Sequence, residues 1–190
     1  PTVLIATDDP YVQIPNTESI YTHRFTNERA SANKGVYYLP TATSIAPELA
    51  PRPEPTYEVS FLGTVFEDRV ETLRRIADYC EDTKRRMLVA GKILGDATVF
   101  DHYRFVDVRI GTIDNPEKWA IYSDSKVTLN VFRQSEHQAQ SANPRIYETT
   151  GFGHAALVSG PGRSEVREIY GDTIFHFDSP ADAVAAVETA

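Results

Sequence analysis

Sulfur is nearly missing from this chain of 190 residues: Cys80 is its single cysteine. That excludes an internal disulfide and any cysteine-built metal cluster. Cys80 itself falls on the apolar stripe of a helical repeat, which reads as a small core residue. Long apolar runs are also missing, and none approaches the roughly 20 residues that cross a bilayer. No signal peptide is visible, so a cytoplasmic protein with no membrane span is expected. Cations are in the minority, 19 Lys and Arg against 27 Asp and Glu, for a net charge of −8. The broad basic surface needed for non-specific nucleic-acid binding is therefore not expected, although a local basic pocket is compatible with this balance. The five histidines, His23, His102, His137, His154 and His176, are scattered without metal-ligand spacing. HExxH, G-x-S-x-G, Walker and G-x-G-x-x-G motifs are all lacking. No metal and no cofactor are expected.

What is present is a regular alternation of short apolar runs and helical repeats. Residues 2–6 read as a buried strand closed by Thr7, Asp8, Asp9 and Pro10. Weaker strands follow at 21–26 and 36–40. Residues 41–56 are rich in proline, at 47, 51, 53 and 55, and 47–56 reads as a stiff linker. The pattern restarts at 57–62 with a strand ending in Gly63-Thr64. Phe66, Val70, Leu73, Ala77 and Cys80 then recur at three- and four-residue spacing, an amphipathic helix over 67–81. Strands at 86–90, 126–132, 155–158 and 173–177 alternate with helices at 115–123, 144–150, 164–170 and from 180 onward, and a short strand near 105–108 lies in a less legible stretch. This alternation predicts an α/β fold, a Rossmann-like doubly wound parallel sheet over 57–190, preceded by a partial second α/β segment over 1–46. The chain begins at Pro1 without Met and stops inside an apparent helix, so a segment of a longer protein is expected.

The stretch around which the rest is arranged is 143–153. Asn143 is a good N-cap, Pro144 a good first helical residue and Gly151 a natural C-cap. Between two buried strands this short helix carries Arg145 and Glu148, three apart and on one face. They could pair with each other, or Glu148 could accept from the two hydroxyls of a ribose. On a parallel sheet ligands gather at the carboxyl ends of strands. Four such ends carry suggestive residues: Gly63-Thr64, Gly91-Lys92, Arg133, and Gly160 with Gly162-Arg163. Gly63 permits close backbone approach, and the helix after it brings amides and Arg69 toward the same space, an anion site in outline. Arg133 could pair with Glu136 or Glu148, or clamp a diphosphate with its planar guanidinium. Asp8 and Asp9 at a strand end are a turn or, alternatively, a catalytic or metal-binding pair.

Taken in order, these residues resemble a known family. A strand ending L-N-x-x-R (Leu129, Asn130, Arg133), then N-x-R-x-Y-E (Asn143, Arg145, Tyr147, Glu148), then a Gly pair and an apolar strand is similar to the C-terminal part of GT-B glycosyltransferases. The likeness is greatest to the group related to spore-maturation CgeB-like proteins. Phe61 to Arg69, and Asp8 to Pro10 followed by F-T-N and Y-L-P, also resemble stretches of that family, so the likeness covers nearly the whole chain. It implies a nucleotide-sugar donor held by residues 57–190, an acceptor of unknown identity on the N-terminal side, and transfer without a metal. The implied donor residues are Gly63, Thr64, Arg69, Arg133, Asn143, Arg145 and Glu148, with Glu148 on the ribose; Asp8 or Asp9 is the implied acceptor-side base. The sequence departs from the family at Thr64, where many members have Arg, and at Gln140, where the E-x7-E pattern has its first Glu. The competing readings are a non-catalytic GT-B-like binding or assembly module and a sugar-nucleotide epimerase.

Overall fold

The structure is a computed structural model that describes residues 1–7, 9, 17–33, 35–43, 52–134 and 139–190. It contains two parallel sheets. The smaller has three strands, β1 (Val3–Ala6), β2 (His23–Thr26) and β3 (Val36–Tyr38), in the order β1-β2-β3. The larger has six, β4 (Tyr57–Leu62), β5 (Met87–Gly91), β6 (Val106–Ile110), β7 (Ser125–Val131), β8 (Ala156–Gly160) and β9 (Phe175–His176). Their order is β6-β5-β4-β7-β8-β9, all neighbours parallel. The order reverses between β4 and β7, which is the topological switch point of a doubly wound sheet. The α/β, parallel-sheet expectation holds, and the less legible stretch supplies β6 as an edge strand.

Helices cover both faces because the central strands are apolar on both. Val59, Phe61, Leu129 and Val158 pack on one side against α1 (Glu67–Thr83) and α5 (Pro180–Thr189). Tyr57, Leu88 and Ala90 pack on the other against Trp119 and Tyr122 of α2 (Asn115–Ser123) and Phe152 of α3 (Pro144–Phe152). Ile146 of α3, Leu157 and Val166 of α4 (Ser164–Tyr170) extend that second layer. Cys80 is fully buried on α1, where burial pushes its thiol up to about 12, consistent with a packing role. Local capping follows the sequence closely. The Asp114 carboxylate caps α2, and Ser179 with Asp182 forms a capping box on α5.

Three expectations are corrected. β1 is not buried: Val3 and Ile5 are 51% and 52% exposed, because no described element covers that face of the small sheet. The C-cap of α3 is Gly153, left-handed at φ 71°, not Gly151; Gly151 sits inside the last turn, where an added Cβ would lie 3.3 Å from the Thr43 methyl. The strand expected at 173–177 shortens to two residues, since Gly171–Thr173 form a 3-10 turn. Of the expected 47–56 linker, 47–51 lie outside the described residues. Among the described residues no helix is long and apolar enough to cross a membrane.

The small sheet is tied to the large one by polar contacts. Buried Glu28, after β2, and buried Glu165, on α4, both accept from the backbone just ahead of α3. Tyr38 of β3 donates to Glu165, and Arg29 pairs with Glu168.

Candidate functional site

The strand order places the carboxyl ends of β4, β5 and β6 beside the start of α3. Between them lies a cavity of about 540 Å³, lined by Gly63, Thr64, Gly91, Lys92, Gly111–Ile113, Lys118, Tyr122, Asn143–Arg145 and Glu148. Gly63 and Gly91 are required here. Both have positive φ, and a Cβ on Gly91 would lie 2.3 Å from the Gly63 carbonyl oxygen. A Cβ on Gly63 would lie 2.3 Å from Arg145 Nη2. The glycine thus lets the Arg145 guanidinium lie directly on the backbone at the end of β4.

Arg145 is held there by Asn130, a fully buried side chain on β7. Asn130 Oδ1 accepts from Arg145 Nη1 at 2.7 Å and from Asn143 Nδ2 at 2.8 Å, while Asn130 Nδ2 donates to Ser159 Oγ at 2.9 Å. Asn143 uses its own Oδ1 to cap α3 through the Ile146 amide. One buried amide therefore ties two central strands to the helix N-terminus. Loss of solvent pulls the Arg145 guanidinium below its ordinary value, and nearby Tyr122 and Glu148 act in the opposite sense.

Glu148, one turn along α3, faces α2 rather than Arg145. Its Oε1 accepts from Lys118 Nζ at 2.7 Å and its Oε2 from the Tyr122 hydroxyl at 3.3 Å. The ion pair is largely shielded, with 18% exposure on each side chain. Burial pushes Tyr122 up to about 12, so its hydroxyl is a donor at neutral pH. Of the two sequence alternatives for Glu148, the pair with Arg145 is not formed: Arg145 contacts Asn130 and Glu148 contacts Lys118. The Arg133–Glu148 pair is not formed either.

The other expected residues divide. Gly63, Thr64, Asn143, Arg145 and Glu148 are brought together at the cavity. Arg69 and Arg133 do not line it. Arg69 is buried beneath the loop, donating to the Thr64 carbonyl at 2.7 Å, with its guanidinium 5.3 Å from the Phe66 ring centre; it shapes the Gly63–Phe66 turn. Arg133 is exposed and stacks over the same ring at 4.4 Å. Asp9 sits at the end of the small sheet, accepting from Thr26 Oγ1 at 2.6 Å, and is not among the cavity residues. Asp8, Glu136 and His137 lie outside the described residues.

Lys118 and Tyr122 were not legible as site residues, but a signal existed. Lys118 follows the first turn of α2 and Arg145 lies in the first turn of α3, the positive ends of two helix dipoles, where cations are disfavoured. Two such placements at one cavity create a cationic site that an anion stabilises. Among the described lining residues Lys92, Lys118 and Arg145 face a single carboxylate, Glu148. A second cavity, about 650 Å³, lies between α1 and the segment after β5, lined by residues including Val70, Arg74, Asp78, Leu94 and Val99; it holds none of the motif residues. Among the described residues no group of three His, Cys, Asp or Glu is placed to hold a metal ion.

Comparisons with known proteins agree with this architecture. Three solved structures share the fold at low identity. AviGT4, a glycosyltransferase involved in avilamycin A biosynthesis, aligns with a TM-score of 0.59 at 14% identity, over 88% of this chain and 56% of its own. TarM aligns at 0.58 and 11%, over 99% and 36%. The GtfA/B complex aligns at 0.55 and 12%, over 98% and 37%. The chain thus spans 36% to 56% of the length of these proteins. No curated protein matches. The family model described as glycosyl transferase-like matches residues 67–190, the span from α1 to the end of α5 that carries Lys118, Asn130, Arg145 and Glu148, and the chain belongs to that family.

Proposed function

We propose that the 540 Å³ cavity binds the nucleoside diphosphate of a nucleotide-sugar donor, and that the whole protein transfers the sugar to an acceptor. The observation that carries this reading is the placement of Arg145. It lies at the N-terminus of α3, against the Gly63 backbone, at the switch point between β4 and β7. A diphosphate there meets a planar guanidinium, a helix N-terminus and Lys92 or Lys118. Glu148 retains lone pairs beyond those used by Lys118 and Tyr122, and these accept from ribose hydroxyls.

In transfer, an acceptor oxygen bonds to the anomeric carbon as the bond from that carbon to the diphosphate breaks. The acceptor proton passes to a base, and the leaving diphosphate keeps the electron pair. We assign the charge stabilisation of that leaving group to these cations, without a metal. Arg69 acts on the site through the Thr64 carbonyl, and Arg133, over Phe66, is our candidate for a further diphosphate clamp. Asp9, or its neighbour Asp8, is our choice for the acceptor-side base. The CgeB-like subgroup, a cytoplasmic location and a larger parent protein belong to the same reading. The alternative, a non-catalytic GT-B-like module, draws on one observation: the Glu148 carboxylate is already engaged by Lys118 and Tyr122.

Calorimetric titration with UDP, GDP, dTDP and their sugars tests the proposal. One nucleotide should bind, and Glu148→Ala should weaken it about 10- to 100-fold, the range for losing hydrogen bonds to a charged group. Binding that survives Glu148→Ala unchanged would remove Glu148 from the site. Absence of binding both here and in a longer form of the protein would favour the non-catalytic module.

A further inference from the structure

Two carboxylates that do not line the cavity are buried more deeply than the carboxylate that does. Glu28, 2% exposed, follows β2 of the small sheet; Glu165, 4% exposed, is on α4 of the large one. Burying a carboxylate is costly unless every lone pair finds a donor. Here three consecutive backbone amides are among the donors, beside the Ala30 amide on Glu28 Oε1 at 2.9 Å and the Tyr38 hydroxyl on Glu165 Oε1. Gln140 N donates to Glu28 Oε1 at 2.9 Å, Ser141 N to Glu28 Oε2 at 3.3 Å, and Ala142 N to Glu165 Oε2 at 2.7 Å. Two of these residues, Gln140 and Ser141, are also held from their other sides. The Arg29 amide donates to Ser141 Oγ at 2.8 Å, Arg163 Nη1 to the Ser141 carbonyl at 2.9 Å, and the Glu165 amide to the Gln140 carbonyl at 3.2 Å. The next residue in the chain is Asn143, which caps α3 and shares Asn130 with Arg145. Apolar side chains could pack a loop at lower cost. What two buried carboxylates add is direction, because amides donate along fixed lines.

We propose that Glu28 is a positioning residue for the cavity. Reaching across from the small sheet, it fixes Gln140 and Ser141, beside the Ala142 amide that Glu165 holds, and so sets where Asn143 and Arg145 lie against Gly63. The donor site is then assembled by both sheets, although no residue of the small sheet lines it. Gln140, where the family pattern places a sugar-contacting Glu, serves here through its backbone, with its side chain exposed. The inference rests on the nucleotide reading for its main test and stands apart from it in the second.

The variant is Glu28→Gln, which keeps the shape but turns one accepting oxygen into a donor facing an amide. Arg29→Ala, which removes the exposed pair with Glu168 and leaves the Arg29 amide on Ser141 and the Glu28 carboxylate in place, is the control. In titrations with UDP, GDP and dTDP, Glu28→Gln should weaken the bound nucleotide about tenfold, while Arg29→Ala leaves it unchanged. Combined with Asn130→Ala, the Glu28→Gln loss should be less than additive, as for two steps of one linkage; a purely stabilising role predicts additive losses that track the melting temperature. Wild-type affinity in a folded Glu28→Gln protein, or full additivity, overturns the proposal. The second measurement needs no nucleotide. The rate at which phenylglyoxal modifies Arg145, read by mass spectrometry against Arg133 as internal reference, should rise in Glu28→Gln. If no nucleotide binds the wild type, the nucleotide reading fails and this rate decides the positioning alone; an unchanged rate overturns it.

Discussion

The two sheets of this protein use similar strands in opposite ways. In the large sheet Val59, Phe61, Leu129 and Val158 are covered on both faces by helices and buried to 2% or less. In the small sheet Ile5, Phe25 and Tyr37 lie in register across β1, β2 and β3, and Ile5 and Tyr37 remain more than half exposed. The large sheet is held by apolar burial, the dominant favourable term in folding. The small sheet meets it through directed polar contacts: Glu28 on the Gln140 and Ser141 amides, Tyr38 on Glu165, Arg29 on Glu168. Apolar contact secures a layer without choosing its register closely; hydrogen bonds to buried carboxylates choose it. The region that makes the site is built by the first kind of interaction and aimed by the second.

Truncation in the core of the large sheet should give the largest effect. Leu129→Ala removes a fully buried side chain and is expected to destabilise by about 3–5 kcal/mol in urea unfolding. A loss below about 1 kcal/mol would mean that the layer is far less tightly packed than the burial indicates. The matching truncation in the small sheet, Ile5→Ala, begins from a half-exposed side chain, so the expected loss is under about 1 kcal/mol. A loss equal to that of Leu129→Ala would show that the uncovered face is covered in solution and erase the contrast. The smallest effect is expected where the large sheet relies on an exposed charge. Arg167 and the Gly162 amide hold the Asp178 carboxyl below its ordinary value of 3.8. Its contribution is therefore complete above about pH 4 and is lost as pH falls through the lower folded-state value. Because the pair is exposed, Asp178→Asn should cost under about 1 kcal/mol at pH 7. The difference from wild type should shrink toward zero in unfolding curves taken at about pH 2–3.

The helices of the large sheet were legible because period, cap and stop agree in each. Asn115 with Pro116, Asn143 before Pro144, and Ser179 before Pro180 all mark starts that the structure keeps, with Asp114 as the cap of the first. The end of α3 was misplaced because either Gly151 or Gly153 could stop a helix; the left-handed turn falls at Gly153, and Gly151 keeps a negative-φ helical place. β1 was read as buried because an apolar run specifies a strand without specifying what lies on its faces. Of the site, Gly63, Asn143, Arg145 and Glu148 stood out by residue type at a strand or helix end. Lys118 did not, since α2 is 30 residues from Glu148 in sequence and nothing local links them. Arg69 was read as facing the ligand, whereas its place on α1 turns it under the Phe66 ring.

By itself, the sequence determined the alternation of strand and helix, the caps, the acidic balance and the short motifs at strand ends, because each depends on residues within a few positions of one another. Only the tertiary structure decided which strand ends became neighbours. The β6-β5-β4-β7 order brings α2 beside α3, pairs Lys118 with Glu148 and lays Arg145 on Gly63. It also decided that a glutamate of the other sheet would hold the loop before α3. These contacts span up to 113 positions in the chain, and their partners are selected by how two sheets and five helices pack, which no local pattern encodes.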